Sequence, residues 1–213
     1  MPAAALVLAL GAAGLHAVWN LLLAGARDRE AVAGVMLVTG VVAFAPVAAV
    51  TWDVSPEAVP YIVGSAAFQL AYFALLVAAY ERLELSLVYP ISRGLAPVVT
   101  LVVGAAVLAA RPSALQAVGV VAIGAGVLLV RGLGRHVDSR GVVFGCAIAS
   151  CIAAYTLIDK AGLRYAEPIS YFELVLLVSL LYPAAVARRK GLGALRAEVR
   201  PRAMIAGIAG FAA

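Results

Sequence analysis

Arg93 is the residue of this sequence best suited to bind a charged solute. It lies about eight residues inside a continuous apolar stretch, between Pro90 and Pro97, and arginine is charged at any physiological pH. Tyr89, Arg93 and Pro97 have the helical spacing i, i+4 and i+8, which places them on one face. We expect Arg93 to line a cavity and hold an anionic or zwitterionic group. The alternative is a structural arginine that pairs with an acid or extends to a polar boundary.

A second polar and aromatic face occurs in the first apolar stretch. His16, Trp19 and Asn20 lie at i, i+3 and i+4 and so share one side of a helix. Asparagine supplies a donor and an acceptor, tryptophan a flat apolar surface and histidine a titratable group. This face is either a cavity wall or a set of hydrogen-bonding residues that joins two helices.

Two further stretches contribute polar candidates. Gln69 and Tyr72 repeat the helical spacing in the third stretch, where Tyr72 is also typical of aromatic packing. Tyr155 shares a face with Asp159, and Thr156 shares another with Lys160. The predicted substrate-binding residues are His16, Trp19, Asn20, Gln69, Tyr72, Tyr89, Arg93, Tyr155 and Thr156.

Glu173 and Asp159 are the carboxyl groups best placed to carry a proton. Glu173 lies about five residues inside its apolar stretch, and Asp159 lies near the end of the preceding one. Both are close to a stretch end, so the alternative is a side chain that reaches the polar boundary. Proton transfer through Glu173, Asp159 or His16 is therefore a hypothesis only.

The sequence offers no other recognisable chemistry. It has no Walker-type glycine and lysine motif for ATP, and no HExxH, CxxC or GxSxG pattern. Cys146 and Cys151 are separated by roughly 140° on a helix, which forbids a disulfide and disfavours a shared metal. We expect no enzyme activity, no cofactor and no metal site.

The amino-acid composition indicates the class of protein that contains these residues. Hydrophobic residues make up 65% of the 213 residues, charged residues 13%, and the mean hydropathy is +1.05. Soluble domains are about half apolar and about a quarter charged, so this chain is an integral membrane protein. Its 16 Lys and Arg against 11 Asp and Glu are read as topology signals rather than as a nucleic-acid surface.

Seven apolar stretches, and part of an eighth, are long enough to cross a bilayer as helices. They cover approximately residues 4–24, 31–51, 58–79, 86–109, 113–131, 141–160 and 168–187, with the eighth starting near 201. The sequence therefore predicts an all-α, polytopic fold. Loops after odd-numbered stretches hold twelve Lys and Arg, and the other loops two or three, which places the N-terminus outside the cell.

The stretches form an internal repeat. An offset of 136 residues pairs Trp19 with Tyr155 and Asn20 with Thr156. This predicts a five-helix repeat at 1–131, a connecting loop at 132–140, and a second repeat at 141–213 that stops within its third helix. Because five is odd, the second repeat is inverted, as in many secondary transporters. By this arithmetic roughly 60–70 residues would complete it, and we expect the chain to be a fragment.

Two segments carry a family resemblance, HAVWNLLL at 16–23 and LSLVYPISRGLAP at 85–97. Together with the five-plus-five plan, they resemble the EamA family of the drug/metabolite transporter superfamily. The resemblance implies ten helices, two EamA repeats, and movement of small metabolites, amino acids or drugs without ATP. It also implies that both termini are cytoplasmic, against the loop charges, so the orientation stays open.

We therefore expect a secondary active transporter in the cell membrane that moves a small metabolite, amino acid or drug-like solute by alternating access. Its expected partners are the lipid bilayer and the solute, with no nucleic acid and with a homo-oligomer as an open option. The alternative is a truncated membrane protein that transports nothing, or an interaction scaffold. A membrane enzyme is a more distant alternative.

Overall fold

The computed structural model describes residues 3–83, 85–107, 112–131 and 139–213, and within these ranges the chain is almost entirely helical. Among the described residues, one 3-10 helix, Pro56–Ala58, precedes the third helix. The helices are α1 Ala3–Ala24, α2 Arg29–Val50, α3 Val59–Arg82, α4 Leu85–Val107, α5 Ala114–Arg131, α6 Ser139–Gly162, α7 Pro168–Ser179, α8 Leu181–Lys190, α9 Leu192–Ala197 and α10 Pro201–Ala212.

Six segments of the described residues are long and apolar enough to cross a membrane. Five of them are α1, α2, α3, α4 and α6, and the sixth is Pro168–Lys190, which combines α7 and α8. The outer surfaces are apolar, with Leu8 74% and Val118 64% exposed, as expected for side chains that face lipid. The prediction of an all-α polytopic membrane protein is confirmed.

Three details differ from the sequence prediction. The stretch predicted to cross the bilayer at 113–131 forms α5, which is not among the six candidate spans of the described residues. The stretch predicted as one helix at 168–187 is interrupted at Leu180, where α7 ends and α8 begins. The short helix α9 was not predicted, since its six residues are too few to show a helical period. The predicted loop at 132–140 lies mostly outside the described residues, and α6 begins at Ser139.

Side-chain caps explain where two helices begin. Asp28 precedes α2 and its Oδ1 accepts the Ala31 N–H at 3.0 Å, so one of the unpaired amides of the first turn is satisfied. Glu167 precedes α7 and its Oε2 accepts the Ser170 N–H at 3.0 Å. Pro168 follows it at the first helical position, where its missing N–H costs nothing.

Helix α5 begins with a capping box. The Ser113 N–H donates to Gln116 Oε1 at 2.8 Å, and the Gln116 N–H donates to Ser113 Oγ at 3.2 Å. The break at Pro112–Ser113 that separates the fourth and fifth apolar stretches in the sequence therefore also fixes the start of α5.

The chain divides into two compact units, Met1–Pro56 with Tyr165–Ala213, and Glu57–Arg164. We call them the split unit and the central unit. The split unit contains α1, α2 and α7 to α10, and the central unit contains α3 to α6. Each unit therefore combines helices from both predicted repeats, while the repeat boundaries themselves remain a prediction.

In the split unit, α2 and α10 approach very closely. A Cβ added to Gly40 would lie 3.1 Å from the Gly207 carbonyl oxygen, and one added to Gly207 would overlap the Met36 carbonyl oxygen. Beside this contact, the Phe211 ring stacks on Phe44 with 4.1 Å between centroids. Small residues in membrane helices allow such backbone contact, which increases van der Waals attraction.

The polar ends of the split unit are fixed by hydrogen bonds and ion pairs. The Ser170 hydroxyl lies 3.2 Å from the Ala48 carbonyl oxygen and 3.3 Å from that of Thr51, which ties α7 to the end of α2. At the other end of α2, Lys190 Nζ lies 2.8 Å from Asp28 Oδ1 and 3.0 Å from Glu30 Oε2.

In the central unit, α6 packs against α4 through two glycines. A Cβ on Gly141 would overlap the Leu87 side chain, and one on Gly145 would lie 2.7 Å from Ile91 Cγ2. Gly141, Gly145 and the buried Ala149 follow each other at intervals of four residues on α6, and small residues at this spacing let a neighbouring helix approach closely.

Candidate functional site

The Arg93 side chain is held by two tyrosines in the central unit. Its Nη2 donates to Tyr72 Oη at 2.9 Å, which joins α4 to α3. Its Cζ lies 5.5 Å from the centroid of the Tyr89 ring and 5.7 Å from that of Tyr72. Aromatic faces attract a guanidinium at these distances without neutralising it. Arg93 therefore has a defined position between α3 and α4.

Tyr155 extends this aromatic cluster to α6. Its ring meets Tyr72 edge to face, with 5.9 Å between centroids. Edge-to-face pairs are favourable because the positive ring edge of one partner meets the negative face of the other. Three helices thus contribute to the surroundings of Arg93: α3 through Tyr72, α4 through Tyr89 and α6 through Tyr155. We call these three residues the tyrosine cluster.

Arg93 lines a cavity of approximately 1240 Å³ that lies within the central unit. The volume is at or slightly above the upper range that is usual for small-molecule sites. Its walls come from α4, the start of α5 and the second half of α6. Polar lining residues are Arg93, Thr100, Gln116, Thr156, Lys160 and Arg164, and the rest are mainly apolar.

One backbone hydrogen bond of α4 is missing beside this cavity. Pro97 lines it and lies inside a helix that continues through both Pro90 and Pro97. Proline has no N–H, so Pro97 cannot donate the regular helical hydrogen bond to the Arg93 carbonyl oxygen. Helix α4 accommodates both Pro90 and Pro97 without ending.

The predicted site residues of the central unit therefore lie around Arg93 and the cavity that it lines. Tyr72, Tyr89 and Tyr155 form the tyrosine cluster, and Thr156 lines the cavity together with Arg93. Gln69 is buried on α3 and lies one helical turn before Tyr72.

His16, Trp19 and Asn20 belong to the split unit. Trp19 Nε1 donates to His16 Nδ1 at 3.2 Å, and Asn20 Nδ2 donates to the His16 carbonyl oxygen at 2.7 Å. These bonds lie within α1, whereas the Trp19 ring packs on α10, where a Cβ on Gly210 would lie 3.6 Å from it. Trp19 and Asn20 are buried, and His16 is half-buried.

The two predicted proton carriers occupy different units. Glu173 lies on α7 in the split unit and is buried, and its Oε2 has no hydrogen-bond partner among the described residues. Asp159 lies near the end of α6 in the central unit and is half-buried. Among the described residues, no group of three or more His, Cys, Asp or Glu side chains is arranged to hold a metal ion.

Sequence reasoning did not select Lys160 and Arg164 as members of the site. Thr156, Lys160 and Arg164 follow each other at intervals of four residues and all line the cavity. The sequence analysis noted that Thr156 and Lys160 share a face. Arg164 follows the end of α6 at Gly162, so the helical spacing of Thr156 and Lys160 does not by itself predict it.

The comparison with known families agrees with this geometry. The model of the EamA-like transporter family matches residues 3–132, which is more than half of the chain and includes Arg93 with Tyr72 and Tyr89. No curated protein and no solved structure shows a significant match to the chain. Charged side chains within apolar helical bundles often mark solute pathways in membrane proteins. The chain belongs to the EamA-like transporter family.

Proposed function

We propose that this protein is a secondary active transporter of a small polar or amphipathic metabolite, and that Arg93 binds the solute. The observation that carries the proposal is the position of Arg93, a half-buried cation at mid-helix that lines a cavity of approximately 1240 Å³. Ionisable side chains are rare inside membrane helices and usually face a solute pathway or a partner. Membership of a transporter family supports the same conclusion.

The tyrosine cluster has a specific part in this proposal. The Tyr72 hydroxyl and the aromatic faces of Tyr72 and Tyr89 hold the guanidinium in place at the cavity. A solute that brings a negative group therefore gains a charge-assisted hydrogen bond, which is stronger than a neutral one.

We propose alternating access, in which the solute site is exposed to each side of the cell membrane in turn, driven by an ion gradient instead of ATP. The proposed partners are the solute and the lipid bilayer, and we propose no catalysis.

Glu173 is the best candidate for proton coupling. It is buried, and its Oε2 has no partner among the described residues. A charged carboxylate in such surroundings is costly, whereas a protonated carboxyl is tolerated. Proton binding and release at Glu173 would therefore favour different conformations of the split unit.

The proposal is tested in proteoliposomes that contain the purified chain and carry an imposed proton gradient. Uptake of radiolabelled amino acids, nucleosides and sugar derivatives is measured for wild type, Arg93→Ala and Arg82→Ala. Arg82 is an exposed arginine at the end of α3 outside the cavity lining, so it serves as the matched control.

We expect saturable uptake that Arg82→Ala preserves and Arg93→Ala lowers by roughly 10- to 100-fold, the loss of one hydrogen bond to a charged group. Equal uptake by Arg93→Ala would refute the role of Arg93. A chain that inserts normally but moves no solute in any condition would support the competing role as a scaffold. Dissipating the proton gradient should abolish uptake, and unchanged uptake would refute proton coupling.

A further inference from the structure

The charges that line the Arg93 cavity all have one sign. Arg93, Lys160 and Arg164 are positive, and none of the described lining residues is acidic. The described carboxyl groups of the central unit, on Glu57, Glu81 and Asp159, are absent from the lining. A cavity lined by charges of one sign with apolar walls concentrates ions of the opposite sign.

The three cations lie at different depths. Helices α4 and α6 run parallel, because Gly145 meets Ile91 near their starts and Gly104 meets Leu157 near their ends. Arg93 precedes Gly104 by eleven residues, which is roughly 16 Å along the helix axis.

Lys160 and Arg164 lie beyond the level of the contact between Gly104 and Leu157, on the side away from Arg93. They follow Leu157 by three and seven residues, and both are exposed. The axial separation of Arg93 and Lys160 is therefore about 20 Å, which is too long for one small solute to contact both at once.

Resting on the proposed transport function, we infer that the cavity selects small anions bearing carboxylate or phosphate groups, attracted by Lys160 and Arg164 and bound by Arg93. Lysine is a flexible point charge that suits attraction at a distance, whereas the planar guanidinium of arginine binds an oxyanion through two parallel hydrogen bonds. Thr156, one turn before Lys160 on the same face, adds a hydroxyl donor along the path.

Three probes of matched length test this inference: succinate, succinamide and putrescine. All have a four-carbon chain, and they are dianionic, neutral and dicationic at neutral pH. Binding of each to the full chain in phosphatidylcholine nanodiscs is measured by isothermal titration calorimetry. We expect succinate to bind and the other two to bind at least about tenfold more weakly, since each lacks the charge-assisted bonds to Arg93. Equal or tighter binding of putrescine or succinamide, or no binding of succinate, would overturn the inference.

Variants separate the two proposed roles. Arg93→Gln should weaken succinate binding at least about tenfold at both low and high salt, because a half-buried contact is little screened. The double variant Lys160→Gln, Arg164→Gln should weaken it about tenfold at low salt and much less at high salt, because attraction by exposed charges is screened. Arg82→Gln is the control and should change nothing. An effect of the double variant that is independent of salt would contradict the attraction.

An anionic lipid headgroup shares the chemistry of the proposed solute, so a second arm uses nanodiscs that contain phosphatidylglycerol. Both kinds of disc are measured at high salt, where the negative surface potential of phosphatidylglycerol is screened. Unchanged succinate affinity then supports a water-soluble solute. Loss of succinate binding under these conditions would show that a lipid headgroup occupies the cavity and would overturn the assignment.

Failure of the anion site and failure of the transport function would give different experimental results. Succinate binding without uptake of any solute would refute the transport function and leave the anion site standing. Arg93-dependent uptake of neutral or cationic solutes, without succinate binding, would refute the anion site and leave the transport function standing.

Discussion

The contact between α2 and α10 gives the sharpest prediction about stability. At Gly207 an added methyl group would overlap the Met36 carbonyl oxygen and lie 3.0 Å from Thr39 Cβ. Backbone atoms cannot rotate away as a side-chain end can, so Gly207→Ala forces the two helices apart. Ordinary contacts begin near 3.4 Å, so the Thr39 contact alone requires several tenths of an ångström, and the carbonyl contact requires more.

Overpacking of this kind costs about 1–3 kcal/mol. For a chain of this size, each kcal/mol lowers Tm by roughly 2–4 °C, so Gly207→Ala should lower Tm by roughly 2–12 °C. Gly14→Ala is the matched control, because Gly14 lies on α1 and an added Cβ there meets nothing within 4 Å. Alanine is the better helix former by about 1 kcal/mol, so the control should be neutral or slightly stabilising.

Thermal unfolding of detergent-solubilised protein, followed by size-exclusion chromatography with fluorescence detection, measures both variants against wild type. A lower Tm for Gly207→Ala together with an unchanged or raised Tm for Gly14→Ala supports the close contact. The reasoning is refuted if the two variants have the same Tm.

The remaining predictions concern the two ends of α2. Burial raises the pKa of Asp28, but hydrogen bonds from Lys190 and the backbone outweigh it and place the pKa below its ordinary value of 3.8. The ionised Asp28 therefore stabilises the folded protein above pH 3.8, and this stabilisation is lost as the pH falls through the lowered pKa. Asp28→Asn should have a smaller loss of stability in acid unfolding curves. A variant with the same pH dependence as wild type would contradict this. Ser170→Ala removes the hydrogen bonds from the hydroxyl to the Ala48 and Thr51 carbonyl oxygens. The variant should be destabilised by about 0.5–1.5 kcal/mol, measured by thermal unfolding. An unchanged Tm would show that these bonds contribute little.

Most of the fold was predictable because a bilayer leaves few choices. Apolar stretches of about 20 residues bounded by polar residues must be helices in lipid, so the positions of α1 to α6 follow from the sequence alone. The break at Leu180 was missed although Pro183 marks it, because proline has no N–H to donate to the carbonyl oxygen of Ser179, four residues earlier, where α7 ends. The arrangement of helices into two units depends on contacts between distant residues, which helical periodicity does not report.

The candidate site was predicted in part. Arg93 and Tyr89 share α4, so their common face follows from the helical period. Tyr72 was predicted as a substrate-binding residue with aromatic packing as the alternative, but the hydrogen bond that its hydroxyl accepts from Arg93 across the interface of α3 and α4 was not predicted. That pairing depends on the rotation of one helix against the other, which no spacing within a single helix determines. Lys160 and Arg164 were overlooked as site residues because lysine and arginine near helix ends usually extend to the membrane surface.

The central claim is that the Arg93 cavity contains water and receives a solute. It is tested most directly with Thr100→Cys, which introduces a thiol into the cavity lining, in a chain whose Cys146 and Cys151 are replaced by serine. Val118→Cys is the control, because Val118 is 64% exposed on α5 and lies outside the lining. Maleimides react with thiolates, which form in water and not in lipid. We predict that a water-soluble maleimide labels Cys at position 100 rapidly and at position 118 slowly, and that succinate slows the labelling at position 100. Equal, slow labelling at both positions would contradict the account.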